Sequence, residues 1–344
     1  MENRKREMIQ KTIESNNKMI EMNPEIERNI ELTKNEIVLP TFRFYRNPFR
    51  RNQKTEYCYM TILFMNEKYV PSILTLGGSL RKKKVKYNLV CLVQDKSYKD
   101  KNGNIISGVP KETINDIMKI YDYVIGCDLL EIENYTNPKF HFSNNKHYEN
   151  KIQYYVTKLN ILGMTQYKKI FYLDASTIVE KNCDYMFQKF NKSAFFFDKE
   201  YKLTNVGLRG TFVFIVPNID YFIKSIYLIQ NYNQIFHNFY FCRGVDEYLL
   251  YYSIYPNWSS NHIDFEFACD GNKSTNNQNE NCNIYYFQIF KPFEPILNQP
   301  MDKIKQMYQN YQRWDDVVKS ILNEAPQMDV YFKPISNFRD TSFF

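Results

Sequence analysis

KIFYLDASTIVEKN, residues Lys169 to Asn182, is the stretch on which the fold turns. Its first half, Ile170-Phe171-Tyr172-Leu173, is an apolar run short enough for a buried strand, and it ends abruptly in a carboxylate, Asp174. Beyond the carboxyl ends of strands is where α/β sheets bind ligands. Two residues further on, where a second carboxylate would complete an Asp-x-Asp metal turn, stands Ser176. Such a turn holds Mn²⁺ or Mg²⁺ against a nucleotide diphosphate because hard cations take oxygen ligands, and the metal then acts as a Lewis acid on the leaving group. A single acid after a strand is equally a turn or cap residue. The stretch is therefore either a metal site with a substitution or the remains of one.

Working outward, the neighbours read as alternating strands and helices. On the N-terminal side lie a strand in YCYMTILFMN, a helix in KYVPSILTLGGSLRKK with Val70, Ile73, Leu74 and Leu80 on one face, and a second strand in YNLVCLVQD. A helix follows in PKETINDIMKI, with Pro at a first-turn position, then a strand in YDYVIGCDLL. KIQYYVTKLNILGMTQ places Ile152, Tyr155, Leu159 and Leu162 on one helical face. On the C-terminal side come strands in SAFFFD and GTFVFIVPN, a helix in GVDEYLLYYSIYP that opens with acids, a polar loop CDGNKSTNNQNENCN, a late strand in IYYFQIFKPF and a helical tail. The alternation predicts an α/β fold with a largely parallel sheet covered on both faces. Residues 1–39 read as two helical pieces broken near Pro24. LPTFRFYRNPFRRNQK, with Arg43, Arg46, Arg50 and Arg51, reads as an extended segment packed on the domain surface; as a nucleic-acid or membrane contact it carries too few basic residues.

Composition narrows the class. With 344 residues, 44% hydrophobic and 17% aromatic, the chain can bury one large core or two modest ones. No apolar run is long enough to span a bilayer, and the polar N-terminus lacks the core of a signal peptide, so a cytoplasmic protein is expected. Seven cysteines, an odd number without a C-x-x-C pair, argue against a disulfide framework or zinc site and for a reducing compartment. The net charge of +7 is mild; it suits anionic small molecules and does not imply nucleic acid. Abundant Asn, Ile, Lys and Tyr with only 10 Gly point to an AT-rich genome, of the kind large viruses and protists carry. His141, His147, His237 and His262 show no zinc spacing and receive no role. No G-x-x-x-x-G-K-[ST] loop occurs, and LGGS reads as helix packing.

TKLNILGMTQYKKIFYLDASTIVEKNCDYMF resembles the central block of glycogenin-like retaining glycosyltransferases, family 8, whose pattern runs TKL, LTQY, DADTLV and then N and D before LF. The resemblance extends through TILFMNEKYVPSILTLGGSL, NLVCLV, YDYVIGCDLL, GVDEYLL and FQIFKPF, covering roughly residues 57–293. It implies a GT-A fold, Rossmann-like with a mixed central sheet, over 56–295, flanked by extensions at 1–55 (helical and extended) and 296–344 (helical). It also implies a UDP-linked sugar donor. Asn66 and Tyr69 match the loop at the nucleoside, and Leu63 stands in the turn before it, where the two hydroxyl residues usual in the family are missing. Lys158 matches the TKL lysine near the donor, and Asp174 the first metal aspartate. Asp246 matches the acid of the family's GDQ segment beside the transferred sugar. Lys291 matches the lysine of KPW, a phosphate partner. Five departures stand out: Ser176 for the second metal Asp, Tyr285 at the late His ligand, Glu247 for Gln, and Arg209 and Arg243 where smaller or acidic sugar contacts stand.

The resemblance thus implies a UDP-sugar-dependent glycosyltransferase whose Mn²⁺ site is weakened or abandoned, with Asp246 and Glu247 as the catalytic acids. Lys291 with Arg209 or Arg243 would neutralise the diphosphate in place of metal. The acceptor would be a protein, a glycan or a polyol, and homodimer formation is left open. The competing expectation is a degenerate homologue that binds nucleotide or a protein partner without turnover.

Overall fold

The structure, a computed structural model, describes residues 24–48, 55–63, 69–99, 103, 105–130, 139–140, 152–197, 208–236, 240–241, 244–257, 263, 267–270, 282–287 and 301–336. In chain order its main elements are α1 (Pro24–Thr33), β1 (Phe42–Arg46), β2 (Tyr57–Leu63), α2 (Val70–Lys82), β3 (Asn88–Val93), α3 (Lys111–Ile120), β4 (Tyr123–Cys127), α4 (Ile152–Thr157), β5 (Lys169–Leu173), β6 (Thr177–Val179), β7 (Ala194–Phe197) and β8 (Leu208–Ile215). There follow α5 (Ile219–Gln230), α6 (Val245–Ile254), β9 (Ala268–Asp270), β10 (Ile284–Tyr286), α7 (Met301–Glu324) and α8 (Asp329–Ser336). The chain divides into two compact units. One holds residues 1–42, 127–170 and 190–263; the other holds 43–126, 171–189 and 264–344.

In the second unit the strands neighbour one another in the order β1-β4-β3-β2-β5. β2 runs parallel to β3, with Leu63 opposite Val93, and β3 parallel to β4. All six residues of β3 are buried, as a strand covered on both faces requires. α2 packs beside the sheet between α3 and α7. Its glycines mark contact faces: a Cβ on Gly77 would come within 2.6 Å of Ile120, and one on Gly78 within 2.7 Å of Ile321 in α7. LGGS is thus helix packing, as its sequence suggests. α7 and α8 complete this layer with Trp314, Val317, Ile321 and Phe332, all buried. A second, three-stranded sheet, β9-β10-β6, carries the chain that follows Asp174.

The first unit is built on the antiparallel pair β7–β8 and on α5 and α6. Parallel ladders in one unit and this antiparallel pair in the other make the fold mixed α/β. α1 belongs to this unit: Ile26, Ile30 and Ile37 bury against Tyr227 of α5, and Glu27 pairs with Lys224 at 2.6 Å. The periodic helix expected over 152–162 is α-helical only to Thr157, then tightens into a 3-10 turn over Lys158–Gly163. The cause is tertiary: Thr157 Oγ1 bonds Gln153 O at 2.5 Å and receives Leu130 N at 2.8 Å, while Asn160 reaches Asp128 O at 3.1 Å.

One cysteine expectation is overturned. Cys269 and Cys282, on the neighbouring strands β9 and the lead into β10, form a disulfide with Cα atoms 5.9 Å apart. Spacing in the sequence could not show it, because the pairing of β9 with β10 is what brings the two together.

Candidate functional site

In the second unit, β5 delivers Asp174 at its carboxyl end, half-buried. The backbone turns at once. Ser176 N donates to Asp174 Oδ1 at 2.9 Å, the Ser176 hydroxyl donates to the same oxygen, and Thr177 Oγ1 donates to the Asp174 carbonyl at 2.7 Å. This is an Asx turn, in which the side chain of Asp174 takes the place of a backbone acceptor. Ser176 is thereby committed as a donor. Across the ladder, Phe287 N donates to Ser176 O at 2.9 Å, Tyr286 faces Thr177, and Tyr285 faces Ile178. Register therefore sets Phe287 against Ser176. Tyr285 lies further along the strand, 2% exposed, with the Arg313 guanidinium 4.5 Å above its ring.

The donor set decides whether a divalent cation fits here. Oδ1 of Asp174 already accepts two hydrogen bonds, Ser176 offers no anionic oxygen, and an apolar side chain stands opposite it. Among the described residues no group of three His, Cys, Asp or Glu is gathered for a metal. These residues do not fit a tightly held Mn²⁺ ion.

In the first unit a second cluster forms. Lys158, at the start of the 3-10 turn, places Nζ 2.5 Å from Asp246 Oδ2, with side chains only 10% and 6% exposed. Asp246 and Glu247 occupy the first turn of α6. Glu247 accepts from two backbone amides, Gly210 N at 2.5 Å through Oε1 and Gly244 N at 3.1 Å through Oε2. Gly210 lies where β8 departs from β7. The register slips between Phe195 and Phe196, which face Val213 and Arg209 respectively. Gly210 has no room for a side chain, since a Cβ would come 2.9 Å from both Glu247 Cγ and Lys158 Nζ. Bulges of this kind are common beside active sites. Gly210 was not singled out from the sequence; a glycine inside a strand run was its signal.

The remaining expected residues are placed as follows. Leu63 is buried at the end of β2, and its carbonyl accepts from Gln94 N at 3.4 Å. Tyr69 is the N-cap residue of α2. Arg209 is half-buried in β8. Asn66, Arg243 and Lys291 lie outside the described residues.

With the geometry in hand, the chain can be compared with known proteins. No family model matches it. It is 29% identical over 134 residues to uncharacterized protein R707 of Acanthamoeba polyphaga mimivirus, covering 39% of this chain and 41% of that protein. It is 25% identical over 140 residues to glycogenin of Neurospora crassa, covering 39% of this chain and 17% of that protein. The matches thus span less than half of either relative. Among solved structures, it is similar to the glycosyltransferase GlyE of Streptococcus pneumoniae (TM-score 0.48, 14% identity, 79% of this chain and 64% of that one). It is also similar to the galactosyltransferase LgtC in complex with donor and acceptor sugar analogues (TM-score 0.48, 9% identity, 76% and 95%).

Proposed function

We propose that the chain is a glycosyltransferase that takes a UDP-sugar and passes the sugar, with retention of configuration, to a protein, glycan or polyol acceptor. The observation that carries this reading is the buried Lys158–Asp246 pair with Glu247 beside it. A buried ion pair is a poor device for stability, because the desolvation of two charges offsets their attraction. Such a pair suits a functional role better than a purely structural one. Lys158, Asp246 and Glu247 together carry one net negative charge. A fixed negative charge favours the positive charge that develops at an anomeric carbon as the glycosidic bond to phosphate breaks.

The roles divide within the cluster. Both oxygens of Glu247 are engaged by backbone amides, which suits a residue that orients α6 against β8 better than a nucleophile. Asp246 is held by Lys158 through Oδ2 and is the acid assigned to the transferred sugar. Leu63, Tyr69 and, by resemblance, Asn66, Lys158 and Lys291 serve the nucleotide and its diphosphate, while the Asp174 carboxylate, engaged by Ser176, shapes the turn after β5. Arg209 and Arg243 are the cations proposed to take over charge neutralisation from a metal. The diphosphate leaves, and its oxygen assists the incoming acceptor hydroxyl from the same face, which retains configuration. No step is assigned to Mn²⁺.

A second reading has its own support. Ser176 closes the Asp174 turn with its hydroxyl, an arrangement complete without any ligand, as in a family member that binds nucleotide or a partner without turnover. The two readings separate in one experiment. The protein is incubated with a panel of UDP-sugars, in Mn²⁺ and in chelator, while UDP release and mass gain on the protein are followed. Turnover of at least one donor supports the transferase; binding of UDP without any release from any donor supports the second reading.

A further inference from the structure

The structure joins two cysteines that the proposed transfer reaction does not use, and places them one strand from the Asp174 turn. Cys269 sits in β9, where it pairs with Tyr285 of β10. Cys282 directly precedes Asn283, whose backbone ties three segments together. Asn283 N donates to Phe267 O at 3.0 Å, and Asn283 O accepts from Glu180 N at 2.8 Å and Lys181 N at 3.2 Å. From there β10 runs antiparallel to β6 and ends with Phe287 N on the Ser176 carbonyl. β6 and β10 are three residues each. Ladders this short hold register weakly by themselves, so a covalent tie at one end has leverage on the whole.

The other described cysteines, Cys58, Cys91, Cys127 and Cys183, are buried and form no disulfide. Burial pushes the thiols of Cys58 and Cys91 up and that of Cys183 up to about 12, which keeps them protonated and unreactive. Cys269 is 8% exposed and Cys282 2%, so exchange starts at Cys269.

We propose that Cys269 and Cys282 form a reversible oxidation site whose disulfide clips β9 to β10 and thereby orders β6 and the Asp174–Ser176 turn. The oxidant is a low-molecular-weight disulfide such as oxidised glutathione. The Cys269 thiolate attacks one of its sulfurs, forming a mixed disulfide and expelling one glutathione thiolate. The Cys282 thiolate then attacks the Cys269 sulfur, expelling the second. Two electrons pass to glutathione, and the two thiol protons end on the two glutathione thiolates. Excess reduced glutathione reverses both steps. Any effect of this turn on diphosphate binding rests on the function proposed above; the ordering of β6 and β10 does not.

The full-length protein is equilibrated in oxidised or in reduced glutathione, trapped by alkylation and mapped by peptide mass. Amide hydrogen exchange is read in parallel over Ser176–Lys181 and Cys282–Phe287, with helix Ile219–Gln230 as the internal control. The expected result is a Cys269–Cys282 cross-link in oxidised glutathione only, and exchange in both segments about tenfold faster after reduction while the control helix is unchanged. The variant with Cys269→Ser and Cys282→Ser should exchange like the reduced protein in both buffers; if it fails to fold, the reduced wild type decides alone. Two thiols that stay free in oxidised glutathione, or a cross-link that leaves exchange unchanged, overturn the proposal. UDP titration of both forms keeps the two ideas apart. Redox-dependent exchange without UDP binding in either form removes the transferase and leaves the clip; UDP binding with redox-independent exchange does the reverse.

Discussion

Lys158 and Asp246 form a nearly dry ion pair, and removing one partner strands the other's charge. Lys158→Ala is expected to lower the unfolding free energy by about 3 kcal/mol, read from urea midpoints, while Lys158→Met with Asp246→Leu recovers most of that loss. Equal loss in the single and double variants would show that shape, not charge, matters here. Glu247→Gln asks a different question. The amide keeps one acceptor oxygen but presents an NH₂ to one of the two backbone donors, Gly210 N or Gly244 N. A cost of about 1–2 kcal/mol follows from one lost charge-assisted bond. An orienting role leaves kcat within about tenfold of wild type; a nucleophile would lose far more. Ser176→Asp tests the metal argument. It places a second hard anionic oxygen beside Asp174, so UDP binding should gain a stronger Mn²⁺ dependence than that of the wild type and should weaken in chelator. An identical response of wild type and variant to Mn²⁺ would contradict the reading of the turn.

β1 shows how an element acquires its place. FRFYR alternates, and its arginine turns inward: Arg43 Nε donates to Asp95 Oδ2 at 2.7 Å, a second guanidinium nitrogen reaches Oδ1, and Tyr45 OH donates to Oδ2 at 2.8 Å. The Asp95 carboxylate also lies against Gly126 in the space a Cβ would take. The extended segment expected from the sequence is thus an edge strand, and Arg43 serves the fold. Burial alone would push the Asp95 carboxyl up, but the hydrogen bonds from Arg43 and Tyr45 and the Arg43 charge outweigh it and hold it below the usual carboxylate range. The folded state therefore binds this proton less readily than the unfolded chain. Its contribution is complete above the ordinary value of about 4 and fades as pH falls through the lower folded value. Arg43→Ala should cost about 2 kcal/mol at pH 7, and the difference from wild type should shrink below about pH 4, as urea midpoints across that range would show. A gap that stays constant with pH would mean that Arg43 acts through packing alone.

At the scale of the molecule, the C-terminal helices are part of the second unit's core. Ile321 and Val317 of α7 fill the hollow over Gly78, Trp314 meets Phe332 of α8 edge-on, and Tyr331 OH donates to Asp116 at 2.8 Å. Truncation after residue 295 would expose this face of α2, and buried apolar surface of that extent is not surrendered cheaply. The truncated chain should be recovered mainly as aggregate, or with a thermal midpoint at least about 10 °C lower. A soluble product with the wild-type midpoint would show that the tail is an independent appendage. α1 tells the same story in the first unit, where its isoleucines close over Tyr227. α1 and the α7–α8 pair therefore complete cores.

Periodicity alone determined most of the elements. α2, β3 and α3 stand where their apolar pattern put them, because local pattern and burial agree there, and α6 starts at the acids that marked its first turn. The place of Asp174 at the end of β5 was equally legible, since a short apolar run that stops in a carboxylate marks the end of a strand. Other features needed the tertiary structure. The helix over 152–162 tightened at Lys158 because Thr157 and Asn160 spend their side chains on the 128–130 segment, which no local spacing encodes. The Cys269–Cys282 bond spans only 13 residues but depends on the pairing of β9 with β10, and the burial of Lys158 against Asp246 joins residues far apart in the chain. So does the capture of Glu247 by Gly210. Pattern reports which face of an element is apolar. Which charged group meets which is set by strand register and helix docking, and those are fixed only when the whole core has closed.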